Sequence, residues 1–197
     1  MNTFTPTIFT IPELKGISEK TISSHIKLYE GYVKHANLIL EKIDEMSKDT
    51  GHAEGNAYAI AETQRRFGFE FGGMKNHEYY FEQLENGAVE MNNGHLQAAI
   101  AEEWGSFDAW LERFKAITLT RGIGWAMLSY DRENKRLVNS WVDEQHLGQL
   151  PSTDILLALD MWEHSYLLDY IPSEKKKYVE AFFENLNWSV VEKRFKA

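Results

Sequence analysis

The 197-residue sequence has no cysteine, only four prolines and no long hydrophobic run. The lack of cysteine excludes a disulfide framework and soft thiolate metal sites. A membrane-spanning helix needs about 20 mostly apolar residues, and no stretch approaches that. Residues 1–20 also lack the basic and apolar segments of a signal peptide. We therefore expect a cytoplasmic protein that is neither exported nor inserted into a membrane.

Positive charge is scarce as well, with 21 Lys and Arg against 30 Asp and Glu and a formal net charge of -9. This balance opposes nucleic acid and anionic membrane surfaces as partners. Hydrophobic residues make up 43% and aromatic residues 13%, which is enough for a well-filled core. The composition therefore predicts a folded globular chain.

The first half of the sequence predicts a helical hairpin. Ser18 is a candidate N-cap, and apolar residues at helical spacing follow it to about Ser47. Residues 48–56 are polar and predict a turn, and residues 57–84 predict an aromatic-rich second helix. The turn residues of 85–94 predict a boundary between an N-terminal lobe, residues 1–90, and a C-terminal lobe, residues 91–197.

The second half predicts a small α/β lobe. Short helices are predicted near residues 96–101 and 106–118, and strand-like runs follow Arg121 and cover residues 136–142 and 155–159. Two helices then close the chain. The fold class is thus α+β, with a long helical hairpin followed by an α/β lobe that contains a three-stranded antiparallel sheet.

Asp160 and His164 are the most informative pair, because side chains four residues apart on a helix point to one side. They follow the apolar run 155–159, which predicts a buried strand that delivers them to the interior. Carboxylate and imidazole together suit iron or manganese. His77 is the best further ligand among the seven histidines, because an unpaired ring in its aromatic segment would be costly to bury.

Several ordered motifs resemble the iron/manganese superoxide dismutase family over nearly the whole chain: residues 17–25 ending in His25, Asn76-His77, residues 105–108, residues 122–126, residues 160–164, and residues 178–188. The resemblance implies one Mn or Fe per subunit, held by His25, His77, Asp160 and His164. It also implies that superoxide and protons are the substrates and that dioxygen and hydrogen peroxide are the products.

The resemblance assigns further roles around the metal. Tyr32 matches a tyrosine near the substrate opening, and Trp125 and Trp162 match an aromatic wall. Glu163 matches a residue that reaches the partner subunit's ligand histidine, which implies a homodimer or a tetramer. The rival hypothesis is a non-catalytic superoxide dismutase-like interaction protein that kept the fold.

The group that hydrogen-bonds the solvent ligand of the metal has two candidates. Many iron-type members carry a glutamine four residues before the second ligand, and Gly73 stands there. In manganese-type members the group comes from the loop after the second strand, where Gln145 and His146 stand. Of the two we favour His146, because Gln145 follows the acidic pair 143–144 in what looks like a solvated loop.

The sequence departs from the family pattern in the first helix. His25 and Tyr32 are seven residues apart instead of eight, and an alignment without a gap would put Ser24 on the ligand position. Seven helical residues return to within roughly 20° of the starting direction, so His25 and Tyr32 can share a face. A histidine pair between them is absent, and Leu167 replaces the tyrosine that would bond it from the partner subunit.

Overall fold

The computed structural model describes residues 2–196. Helix α1 spans Glu19–Lys48 and starts at the N-cap Ser18, whose side chain accepts a hydrogen bond from the Thr21 amide. A short 3₁₀ turn, Thr50–His52, leads into helix α2, Ala53–Glu82. The two helices pack along each other, which confirms the predicted helical hairpin.

The rest of the chain combines a sheet with shorter helices. Helices α3 and α4 precede three strands, and helices α5 and α6 follow them, with bounds α3 His95–Trp104, α4 Phe107–Thr118, β1 Gly124–Asp131, β2 Arg136–Asp143, β3 Thr153–Asp160, α5 Lys175–Asn185 and α6 Trp188–Arg194. Two 3₁₀ turns, Glu163–Ser165 and Pro172–Glu174, lie between β3 and α5.

The sheet has the order β2-β1-β3 and is antiparallel throughout. Strand β1 lies in the middle and is buried along almost its whole length. The pairing between β1 and β3 sets Trp125 opposite Asp160. The predicted α+β fold with a three-stranded antiparallel sheet is therefore confirmed, and its register brings an indole beside a predicted ligand.

A single hydrophobic cluster joins the helical hairpin to the sheet and the C-terminal helices. Tyr80 from α2 stacks on Phe182 from α5, with ring centroids 5.6 Å apart. The Gln83 amide after α2 also bonds both the carbonyl and the amide of Ala158 in β3. The division into lobes 1–90 and 91–197 stays a prediction. No helix within residues 2–196 has the length and apolar composition needed to cross a bilayer.

Candidate metal centre

Four predicted ligands from four different elements meet at one buried point. They are His25 from α1, His77 from α2, Asp160 from the end of β3 and His164 from the following 3₁₀ turn. One ligand atom from each lies within 4.8 Å of all the others. The side chains of His25, His77 and Asp160 are fully buried, whereas that of His164 is 22% exposed.

The spacing of Asp160 and His164 works differently from the helical pair that the sequence suggested. Asp160 ends a strand, and His164 lies in a 3₁₀ turn. The predicted buried strand is present, with Leu156 to Asp160 all buried. The Asp160 Oδ1 atom accepts a hydrogen bond of 2.8 Å from the Trp162 amide, so the turn itself orients the carboxylate. Its other oxygen faces the three histidines.

His25, and not Ser24, faces the cluster. The His25 residue is 1% exposed, and its Nε2 atom lies 3.1 Å from Asp160 Oδ2. Ser24 lies on the exposed face of α1. The shortened spacing between His25 and Tyr32 therefore still places a histidine, which is a suitable ligand, at the centre.

A hydrogen bond within α2 orients His77 as a potential metal ligand. Its Nδ1 atom donates a hydrogen bond of 2.6 Å to the Gly73 carbonyl, one helical turn earlier. This bond fixes the proton on Nδ1 and leaves the Nε2 lone pair available. His77 Nε2 is buried without a hydrogen-bond partner among the described residues. Such an orphaned acceptor is costly unless a ligand occupies the centre.

The distances from Asp160 to the three histidines fit a transition metal. A metal about 2.1 Å from each donor, with donors roughly 90–120° apart, separates neighbouring donors by about 3.0–3.6 Å. The Asp160 Oδ2 atom lies 3.1 Å from His25 Nε2, 3.1 Å from His164 Nε2 and 3.5 Å from His77 Nε2. Three imidazoles and one carboxylate, without cysteine, suit iron or manganese.

Burial and the cluster's own charges set the protonation states. Burial lowers the pKa of His25 and holds the pKa of His77 well below its usual value. Burial would raise the pKa of Asp160, but the charges and hydrogen bonds of His164 and His25 outweigh it and lower that pKa. At neutral pH, His25 and His77 are therefore neutral donors and Asp160 is a carboxylate.

A hydrogen-bonded chain of three side chains runs beside the cluster. The Trp125 indole donates to Gln145 Oε1 at 2.9 Å, and Gln145 Nε2 donates to the Tyr32 hydroxyl at 2.9 Å. Gln145 is fully buried, and its backbone carbonyl accepts a 2.9 Å hydrogen bond from Asn76. Burial, followed by the charges of Asp160 and Glu70, raises the pKa of Tyr32. The tyrosine therefore keeps its proton at neutral pH.

Two glycines of α2 make room for the hydrogen-bonded side chains of Tyr32 and Gln145. A Cβ on Gly73 would lie 2.5 Å from Cδ1 of Tyr32, and one on Gly72 would overlap the Gln145 carbonyl. The Tyr32 ring fills the space in front of Gly73, the position at which the resemblance implies a glutamine in many iron-type members. Gly72 and Asn76 were not predicted as part of the site; the Gly-Gly pair just before His77 is the signal that could have found it.

The sequence favoured His146 over Gln145, but His146 takes no part in the hydrogen bonds that join Trp125, Gln145 and Tyr32. Its ring packs edge-on against Phe69 at 5.9 Å and lies beside Gly68. The loop after β2 closes on itself through hydrogen bonds between Asp143 and Leu147, and it turns Gln145 inward. The contacts therefore favour Gln145.

The remaining predicted residues surround the ligands. The Trp125 ring meets the His77 ring edge-on at 5.0 Å, and the Trp162 ring stacks on the His164 ring at 5.6 Å. Glu163 is exposed and lies next to the partly exposed His164. Their roles remain proposals.

Together these features define a protein with an α+β fold and a buried metal centre of three histidines and one aspartate. The family model described as iron/manganese superoxide dismutases, C-terminal domain, matches residues 92–194. The chain is 35% identical to an iron superoxide dismutase of Cupriavidus metallidurans, over 94% of this chain and 91% of the relative.

Two further relatives carry the two different metals in their names. A manganese superoxide dismutase of Mycolicibacterium fortuitum is 34% identical over 96% of this chain and 93% of the relative. An iron superoxide dismutase of Aquifex aeolicus is 34% identical over 92% of this chain and 85% of the relative. The chain belongs to the iron/manganese superoxide dismutase family.

Proposed function

We propose that this protein is a superoxide dismutase that binds one manganese or iron ion per chain. The main support is the buried cluster of His25, His77, Asp160 and His164, whose ligand atoms lie within 4.8 Å of one another. In the reaction, two superoxide anions and two protons give one dioxygen and one hydrogen peroxide. One superoxide loses an electron and the other gains it.

The bound metal would supply the one-electron redox couple for both halves of the reaction. His25, His77, Asp160 and His164 would hold it, and the single carboxylate offsets part of its positive charge. The protein must also deliver protons to the reduced oxygen. The Gln145 amide and the protonated Tyr32 hydroxyl, joined by a 2.9 Å bond beside the ligands, support a role as hydrogen-bond donors at the solvent position.

Metal analysis tests the proposal and separates it from a non-catalytic relative. Protein isolated from its native host should contain about one Mn or Fe per chain, in line with the one ligand set found within residues 2–196. Reconstitution with one of the two metals should give dismutation. His25→Ala and His77→Ala should each lose most of the metal. His35→Ala is the control, because His35 lies exposed on the same helix as His25. A chain without Mn or Fe, inactive after reconstitution, would contradict the proposal.

We also propose a two-fold homodimer in which Glu163 reaches the partner's His164. In this chain His164 is partly exposed although it faces Asp160, and three apolar side chains nearby are exposed: Leu167 at 42%, Leu168 at 50% and Ile171 at 60%. A second subunit would cover both His164 and these apolar side chains. A tetramer would add a further interface.

Sedimentation of the metal-loaded protein tests the dimer. Glu163→Ala should shift the equilibrium toward monomers and weaken metal retention, because the ligand ring loses its orienting carboxylate. Glu133→Ala is the matched control, since Glu133 is exposed in the turn between β1 and β2. A wild-type monomer with full activity at micromolar concentration would overturn the proposal.

The cytoplasm is the proposed location, and the absence of cysteine fits its reducing conditions. Fractionation of the native host tests this. The proposed lobes, residues 1–90 and 91–197, are testable by limited proteolysis, which should cut first in the connector between α2 and α3.

A further inference from the structure

A charged pair on α2 lies beside Tyr32. Arg66 Nε donates to Glu70 Oε1 at 2.9 Å, one helical turn apart. The Glu70 side chain is only 8% exposed, whereas that of Arg66 is 51% exposed. The charge of Glu70 raises the pKa of Tyr32 and that of Arg66 opposes this, so both charges reach the tyrosine. The negative end of the pair is therefore inside and the positive end outside.

Phe69 connects this pair to the rim of the site. The Arg66 guanidinium lies 3.6 Å over the centre of the Phe69 ring. That ring is 6.0 Å from Tyr32, 5.9 Å from His146 and 6.4 Å from Trp162, measured between ring centroids. Phe69 is thus the middle of an aromatic rim on the Tyr32 side of the metal centre, and Arg66 lies on it.

The electrostatic problem at this rim is specific to an anionic substrate. The chain carries a net charge of -9, and Glu70 adds a poorly solvated carboxylate close to Tyr32. Such a charge repels an approaching anion strongly, because little water screens it. Arg66 cancels this charge at its source. The pair is then neutral overall, but its positive end is the more exposed one and faces solvent, which favours anion capture.

We propose that Arg66 is an electrostatic positioning residue for the anionic substrate, acting by neutralising Glu70 and by holding positive charge on the Phe69 side of the opening. This inference rests on the proposed dismutase function. Arg65 provides a neighbour for comparison: it also lies on α2 and is exposed, and it pairs with Glu62 at 2.8 Å. Replacing either arginine by glutamine changes the net charge equally.

The test compares Arg66→Gln with Arg65→Gln in the metal-loaded enzyme. At low ionic strength Arg66→Gln should lower kcat/KM by roughly three- to tenfold, and added salt should shrink the deficit. Azide, a small monoanion, should bind the oxidised enzyme more weakly by a similar factor. Arg65→Gln should change both quantities by about twofold at most, because the Arg65 side chain is 73% exposed and solvent and salt screen its charge.

Two further variants separate charge from packing. Arg66→Lys keeps the charge and should retain most of the capture rate and azide affinity. The double variant Arg66→Gln/Glu70→Gln removes both charges and should recover toward wild-type values. Recovery would support neutralisation of Glu70 as the mechanism.

Equal effects of Arg66→Gln and Arg65→Gln would overturn the proposal in favour of net charge alone. A loss in Arg66→Gln that is independent of salt, with unchanged azide affinity, would overturn it in favour of a structural role. An inactive wild-type protein after loading with Mn or Fe would refute the dismutase function, while the azide comparison would still decide the role of Arg66.

Discussion

Gly73→Ala tests whether the position of the Tyr32 ring depends on the space beside Gly73, which has no side chain. The added Cβ would lie 2.5 Å from Cδ1 and 2.7 Å from Cε1 of Tyr32. Carbon atoms pack at about 3.5–4.0 Å, so the ring must move by about 1 Å. The clash falls on the body of the ring, not on a flexible tip, so a rotamer adjustment cannot relieve it cheaply. The 2.9 Å bond from Gln145 to the hydroxyl should break.

Two opposing terms set the expected stability change. Overpacking costs about 1–3 kcal/mol, while alanine in a helix gains up to about 1 kcal/mol over glycine. Gly55→Ala isolates the second term, because Gly55 also lies in α2 and a Cβ there meets nothing within 4 Å. Gly73→Ala should therefore be about 1–3 kcal/mol less stable than Gly55→Ala.

Urea unfolding of both variants measures this difference, and superoxide consumption per bound metal measures the functional cost. Turnover in Gly73→Ala should fall by about tenfold or more, since misplacing a catalytic group by about 1 Å is expensive. Gly55→Ala should match the wild type. If Gly73→Ala were as stable as Gly55→Ala and fully active per metal, the position of Tyr32 would not depend on the space beside Gly73, and the reasoning would fail.

Two other predictions follow from the contacts and charges of the site. Gln145→Ala should strongly reduce turnover per metal whereas His146→Ala leaves it nearly unchanged, because only Gln145 bonds Tyr32; the reverse ranking would return the role to His146. The metal-free protein should lose stability as pH falls below about 6.5, because unfolded His25 and His77 take up protons that their lowered folded pKa values refuse. A free energy of unfolding that stays constant from about pH 7 to about pH 5 would contradict this linkage.

The elements of the fold were predictable where local signals agree. Ser18 and the apolar spacing after it predicted α1, and the structure starts that helix at Glu19. The apolar run 155–159 predicted a buried strand, which is observed as β3, Thr153–Asp160. In both cases the pattern depends on residues close in sequence. The strand-like runs predicted the three strands of the sheet, but not their order β2-β1-β3, because that order joins segments far apart in the sequence.

The choice between Gln145 and His146 was beyond the sequence, because it depends on backbone geometry. Glu144 has a φ of 51°, in the left-handed region, and the chain reverses there. The reversal directs Gln145 toward Trp125, whose indole needs an acceptor when buried. Adjacent acidic residues suggested a solvated loop, and Glu144 and Asp143 are indeed more exposed than Gln145. The composition of a loop does not say which neighbour turns inward.

The shortened spacing in α1 is explained by helix geometry. Eight residues rotate the side chain by about 80° beyond full turns, whereas seven leave it about 20° short of them. A spacing of seven therefore aligns His25 and Tyr32 more closely along one face. Both rings contact His77 of α2, with centroids 4.8 Å and 5.1 Å away. Ser24 is rotated by about 100° from His25 and faces solvent. Because His77 packs against both rings, one residue can be lost between them while the ligand and the tyrosine stay on the same side of the metal centre.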